Sequence, residues 1–465
     1  MDGDDTPDAL TVSHTSNDLV ILGTTWTGTT SDNGRGRDLV TISYNQNGHV
    51  NWMSTYDEGY GGQEYGSDVA MDSSGNIYST GYSWTGAGKD FVTLKYTPAG
   101  QLLWNVIYDG PAPFSFDGAQ TINIDGSDNI LVSGTSEITY DRYDFLTVKY
   151  DSNGNEIWIV NHSSEGDGDA CLSDASVDKR SNIYVTGQER GLDGLTQWAT
   201  ICYDSLGIEQ WISTNRGSDG LGGAPKALAT DNRGRCYVTG YVYEPGWDFD
   251  METVRYNANG NEDWISHYNG GSGYNDIGVG LFPDNECNVY VLGQSKSDLI
   301  IIKYDSLGVM KWKTTYDVQD GIAVIPIDID VKTVNGIADI YVSGYLANSG
   351  RSACLTIKYR EESLHVDDRI GIPSVTKLLP NHPNPFVRFT ALEYWLDNAK
   401  DVELGIYDIS GRRIRILIDA ILPSGFHTVQ WDRRDTRGNL MPYGTYICRF
   451  KAGDYREQQI LIAKP

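Results

Sequence analysis

Apolar and polar positions alternate along most of the chain, in short runs separated by Gly, Asp and Asn. Such period-two alternation, broken by turn residues, predicts β-strands joined by tight turns. The stretch from 68 to 108 shows the pattern most fully. It predicts strand a over 68–72, strand b over 76–82, strand c over 90–96 and strand d over 102–108. Asp-Ser-Ser-Gly-Asn joins a to b, and Thr-Pro-Ala-Gly joins c to d. In such turns glycine supplies the positive φ, and an Asp or Asn side chain bonds the turn backbone.

This four-strand pattern recurs at a period near 53 residues. The c–d half carries a tyrosine at Tyr44, Tyr96, Tyr150, Tyr203, Tyr256, Tyr304 and Tyr359. In the first six copies a glycine follows four residues later and a tryptophan eight later (Trp52, Trp104, Trp158, Trp211, Trp264, Trp312). The a–b half ends at Gly23, Gly81, Gly134, Gly187, Gly240, Gly293 and Gly344. Four strands per repeat of about 50 residues is the unit of a propeller blade, and seven copies predict seven blades. The expected fold is all-β: a seven-bladed β-propeller over residues 1–360, a linker over 361–377, and a small immunoglobulin-like β-sandwich over 378–465. The six tryptophans read as wedges between blades.

The seventh repeat is incomplete. Strand a is expected near 323–331, b through 341–344 and c at 354–359, but Ser363 and Asp367 stand where Gly and Trp should. The acidic opening, residues 2–8, resembles later d-to-a loops. The absent strand d is therefore expected upstream of Met1, together with a signal peptide that the opening MDGDDTPDAL does not provide. Otherwise the open edge is covered by residues 361–367 folding back, or by a neighbouring chain in self-association.

Composition adds limits. The net charge of −27 argues against nucleic acid, which needs clustered Lys and Arg. From residue 371 onward there are 13 Lys+Arg against 10 Asp+Glu, so the acid is concentrated upstream, where 23 basic groups face 53 acidic ones. This is read chiefly as a solvated acidic surface, with Ca²⁺ as the cofactor its acidic loops could take. The six cysteines are scattered without a CxxC pair and are expected mostly as buried small hydrophobes. No apolar run approaches the length of a membrane span.

The repeats resemble the bacterial beta-propeller repeat family and, more distantly, NHL-type blades. After residue 377, Pro383-Asn384-Pro385-Phe386, Ile406-Tyr407-Asp408 with Gly411-Arg412, Trp431-Asp432, Asp435 with Gly438, and Gly444-Thr445-Tyr446 stand out. With them this block resembles the type IX secretion C-terminal sorting domain and the related immunoglobulin-like domain of hook-capping proteins. Arg433 departs from that pattern, where glycine is usual. The resemblance implies a secreted or cell-surface protein that engages secretion machinery through its C-terminal domain.

In a propeller the b–c and d–a connections share one face, and here they vary in length and hold aromatics. Candidate ligand-binding residues are Tyr60, Tyr65, Phe114, Phe116 and Tyr274 in d–a loops, with Trp84 and Trp247 in b–c loops. Aspartates open strand c in five repeats on the same face (Asp38, Asp90, Asp144, Asp250, Asp298). They are expected mainly to bond neighbouring backbone, with a ring of cation sites as the sharper alternative. No HExxH, GxSxG or P-loop is present. The leading expectation is thus a non-catalytic binding or scaffold protein contacting extracellular glycan, protein or matrix. The alternatives are a carbohydrate-active enzyme using loop carboxylates and a structural subunit of a surface polymer.

Overall fold

A computed structural model of the chain describes residues 6–13, 18–26, 36–59, 63–86, 88–112, 114–140, 142–166, 168–217, 220–244, 248–271, 275–317, 323–334, 337–348, 351–361, 376–378, 381, 386, 390–423 and 425–464. Among these residues the chain forms 34 strands and no α-helix. The second repeat folds as Tyr65–Met71, Ile77–Trp84, Lys89–Tyr96 and Leu102–Tyr108, close to the alternation read from the sequence. Six four-stranded antiparallel sheets follow one another, each with its strands side by side in chain order. A three-stranded sheet comes next, formed by Ala323–Val334, Ile337–Asn348 and Arg351–Arg360.

The chain divides into two compact units, one of residues 1–247 and 252–265, the other of 248–251 and 266–465. Within the first, apolar cores form where successive sheets face each other. Val20, Leu22 and Leu39 meet Val69 and Val92. Tyr78 and Phe91 meet Ile122 and Val132. Phe145 meets Leu172 and Val185, and Tyr184 and Trp198 meet Val238 and Val254. Sheet stacked on sheet in chain order is how propeller blades bury both faces of each strand set.

The repeated tryptophans act as wedges. In the first unit, four of the indole N–H groups donate to a carbonyl in the next repeat's c–d turn: Trp52 to Pro98 (2.9 Å), Trp104 to Ser152 (3.3 Å), Trp158 to Ser205 (3.2 Å) and Trp211 to Ala258 (3.2 Å). The turn glycine gives the ring room. Gly100 has φ +82°, and a Cβ there would come within 2.4 Å of the Trp52 ring. In the second unit a side chain does the carbonyl's work. Trp312 Nε1 (3.2 Å) and Lys303 Nζ (2.6 Å) both donate to Glu361 Oε1, and the Tyr290 hydroxyl donates to Oε2 (3.2 Å). Residues 362–367, expected to fold back over the seventh sheet's edge, lie outside the described residues.

In the C-terminal part of the second unit, a three-stranded and a four-stranded sheet share a core that includes Phe386, Tyr394, Trp431, Tyr446 and Phe450. Trp431 is fully buried, and its indole N–H donates to the Arg434 carbonyl (3.0 Å). Arg433 holds a left-handed φ of 59°, the backbone shape that glycine adopts most cheaply, and its guanidinium lies over the Tyr443 ring (3.9 Å). Pro383, Asn384 and Pro385 lie outside the described residues.

Candidate functional site

Sheet pairing brings the start of strand c beside the start of the next repeat's strand a. Arg37 bridges to Gln63 and Lys89 to Phe116, both parallel, and the Lys89 N–H donates to the Ser115 carbonyl (3.0 Å). A chain of rings and cations results, running across the first three repeats. The Arg37 guanidinium lies 5.4 Å from the Tyr65 ring centroid, and Tyr65 stacks on Tyr82 at 4.9 Å. Lys89 Nζ sits 4.7 Å from both the Tyr82 and the Phe116 ring. Phe116 then meets Tyr143 edge-on at 6.4 Å. Phe116 keeps 38% of its surface exposed, and Trp84, cross-strand neighbour of Lys89, keeps 45%. An ammonium held against two ring faces attracts each ring's quadrupole and fixes both rings in place.

Next to the strip residues in sequence stand carboxylates: Asp38 follows Arg37, Glu64 precedes Tyr65, Asp90 follows Lys89 and Asp117 follows Phe116. In the first repeat Asp38, Asp57 and Glu64 place oxygens within 4.8 Å of one another, and in the second Asp90, Asp109 and Asp117 do the same. The two sets occupy matching positions of the repeat: the start of strand c, the end of strand d and the start of the next strand a. Burial, with Asp57 and Asp38 nearby, pushes the Glu64 carboxyl up to about 7. Burial and the charges of Asp109 and Asp117 raise Asp90 as well. The same slot is filled differently elsewhere. In the third repeat Asn161 and Ser163 donate to Asp144, and in the fourth Arg216 Nε donates to Gln197 Oε1 (2.7 Å). In the fifth His267 (2.9 Å) and Asn269 (2.7 Å) contact Asp250. The strand-c aspartates of the third and fifth repeats therefore bond side chains from strand d and just beyond it, rather than the neighbouring backbone the sequence led us to expect.

Of the residues singled out in the sequence, Tyr65 and Phe116 join the strip, its Tyr65 hydroxyl also donating to Gln63 Oε1 (2.8 Å). Trp84 stands beside it. Phe114 is 81% exposed, with a left-handed φ of 61°. Tyr60, Trp247 and Tyr274 lie outside the described residues. Sequence reasoning missed Arg37, Tyr82, Lys89 and Tyr143. A signal existed: Arg37, Lys89 and Tyr143 each precede a strand-c aspartate, and Tyr82 follows the repeat's Gly81. Cys202, Cys236, Cys287 and Cys448 are buried, whereas Cys171 is exposed.

No family model matches the chain, and no curated protein matches it. Solved structures do. PorZ, a surface component of the type IX secretion system of Porphyromonas gingivalis, is similar at 13% identity and a TM-score of 0.39, over 98% of this chain and 65% of that one. The polysaccharide lyase Uly1 is similar at 10% identity and a TM-score of 0.47, over 76% of this chain and 89% of that one. A GH93 α-L-arabinofuranosidase of Fusarium graminearum is similar at 11% identity and a TM-score of 0.39, over 63% and 92%. The expectation of a non-catalytic protein is corrected here, because two of these similar structures are enzymes. None of these likenesses carries a residue or a role over to this chain. Among the described residues no helix is long and apolar enough to cross a membrane.

Proposed function

We propose that the protein works at the cell surface or outside the cell and contacts carbohydrate through the aromatic strip of its first three repeats. In this reading the repeats over 1–360 form a seven-bladed ring. Residues 361–377 link it to an immunoglobulin-like domain over 378–465 that serves export or anchoring through secretion machinery. The observation that carries the reading is the ring-to-ring path Tyr65, Tyr82, Phe116 and Tyr143, held by Arg37 and Lys89, with Phe116 and Trp84 reaching solvent. Ring faces of fixed orientation suit the apolar faces of sugar rings, and such platforms lose little conformational entropy on binding.

A glycan array with the full chain tests this. Binding that Phe116→Ala and Trp84→Ala each weaken tenfold or more supports it, and absence of binding to any glycan removes it. Assays for reducing sugar and for unsaturated product on the bound glycan then decide between holding and cleaving. Turnover abolished by a single loop Asp→Asn change makes the protein a carbohydrate-active enzyme.

A second reading, self-association, is favoured by one feature. Among the described residues, Arg351–Arg360 pairs only with Ile337–Asn348, so the seventh sheet offers an edge strand. Concentration-dependent assembly in light scattering supports this reading, and a mass independent of concentration removes it.

A further inference from the structure

The carboxylate clusters of the first two repeats lie outside the aromatic strip and have a chemistry of their own. We propose that Asp38–Asp57–Glu64 and Asp90–Asp109–Asp117 are two binding sites for a hard divalent cation, Ca²⁺. Three observations beyond the clustering of acids support this.

The first is unmet bonding capacity in buried groups. Glu64 is 1% exposed, and Ser83 donates to its Oε1 (3.1 Å), but Oε2 has no hydrogen-bond partner. Asp90 is 2% exposed, and Thr85 donates to its Oδ2, yet Oδ1 has none. A buried carboxylate oxygen with neither donor nor cation is costly, and two further carboxylates beside it raise the cost. A cation at the common centre gives Glu64 Oε2 and Asp90 Oδ1 the partner they lack, while Asp117 already accepts from Ser115, Ser136 and two backbone N–H groups. Oxygens on opposite sides of Ca²⁺ stand about 5 Å apart, given Ca–O distances of 2.3–2.6 Å, so groups within 4.8 Å of one another can share one ion.

The second is the fourth repeat, which acts as an internal control. Its strand-c position is Gln197 rather than Asp, and its strand-d position is Arg216 rather than Asp. The guanidinium donates to Gln197 and pairs with Asp193. Where the chain supplies its own cation, neither the strand-c nor the strand-d position is an acid. The third is the commitment of nearby cations. Arg37 and Lys89, the residues preceding Asp38 and Asp90, lie against the rings of the strip.

Asp144 Oδ1 and Asp276 Oδ1 also lack partners, but the strand-d position of these junctions is Ser163 or Asn269, each donating to the strand-c aspartate, in place of an acid. Those slots are the weaker cation hosts. A general-acid role fits Glu64 poorly, because a group 1% exposed does not reach a substrate. The cation would clasp the end of one repeat to the start of the next, through Glu64 and Asp117 beside Tyr65 and Phe116 in the chain, whether or not the strip holds carbohydrate.

Calorimetric titration of Ca²⁺ into the metal-stripped full chain tests the proposal, with circular dichroism in chelator as the check on folding. The Asp57→Asn/Glu64→Gln pair is expected to remove one equivalent of bound Ca²⁺, and Asp90→Asn/Asp109→Asn another. Wild type that binds no Ca²⁺ at millimolar concentration, or pairs that bind as much as wild type, overturns it. If a buried substitution prevents folding, Asp57→Asn alone, at an exposed position, decides: affinity down tenfold or more supports the first site, and unchanged affinity overturns it.

Discussion

The first two repeats and the fourth solve one structural problem in opposite ways. All three bring the end of strand d against the start of strand c at a repeat junction. In the fourth, Arg216 fills the junction and meets Gln197 and Asp193. In the first and second, three carboxylates crowd the same place, and Glu64 and Asp90 each keep an oxygen without a partner. A self-sufficient junction needs nothing from solvent. One built of buried acids is stable only if something else supplies positive charge, so the difference marks the first two repeats as the responsive part of a repetitive frame.

The comparison holds only if the frame is common to both regions. Trp52→Ala and Trp158→Ala each remove a wedge between repeats and should cost about 3 kcal/mol in urea unfolding, a half-buried version of the usual large-to-small penalty. Markedly unequal losses would show that the repeats are not equivalent frames. Glu361 sharpens the contrast from the other side. It is a carboxylate with its own cation: burial pushes its acidity one way, but Lys303, Trp312 and Tyr290 outweigh it and hold the carboxyl below its ordinary 4.5. A depressed carboxylate stabilises the fold above its unfolded value and loses that contribution as pH falls through its folded value. Glu361→Gln should therefore cost about 2 kcal/mol at pH 7. The gap to wild type should close as pH drops below 4, read by thermal melts across pH.

Arg216→Met takes the built-in cation away from a junction whose buried acid, Glu189, keeps its own partners Gln197 and His162. A loss of about 1 kcal/mol is expected, the worth of an ordinary partly exposed hydrogen bond, with no gain of Ca²⁺ response. The converse change, Asp109→Arg, should make the second repeat resemble the fourth and abolish its Ca²⁺ equivalent while leaving the melting temperature in chelator unchanged or higher. Phe116→Ala, which removes a partly buried ring packed on Tyr82 and Tyr143, should cost about 1 kcal/mol, and unchanged circular dichroism will show that any loss of glycan binding reports on contact and not on folding.

Much of the frame was legible in the sequence. The Tyr, Gly and Trp spacing located the strands and the wedges, because each of those residues serves a local geometric need that recurs in every repeat. The strip was less legible. The residue after the repeat's glycine is tyrosine in three copies (Tyr82, Tyr241, Tyr345) but Thr24, Thr135, Gln188 and Gln294 in the others, so that column alone did not carry the signal. Lys89 and Phe116 meet only because parallel bridging sets one repeat's strand c against the next repeat's strand a. The same holds for the acids. The strand-c aspartates were noticed, but their partners Asp57, Glu64, Asp109 and Asp117 lie across the d-to-a connection, and only the folded junction makes them neighbours.

The central claim is that carbohydrate meets the protein on the strip of the first three repeats. Hydrogen–deuterium exchange of the full chain, with and without the glycan that binds best on the array, tests it most directly. The account predicts new protection confined to residues 63–86 and 114–143. Protection that falls elsewhere and leaves those two segments unchanged would contradict it.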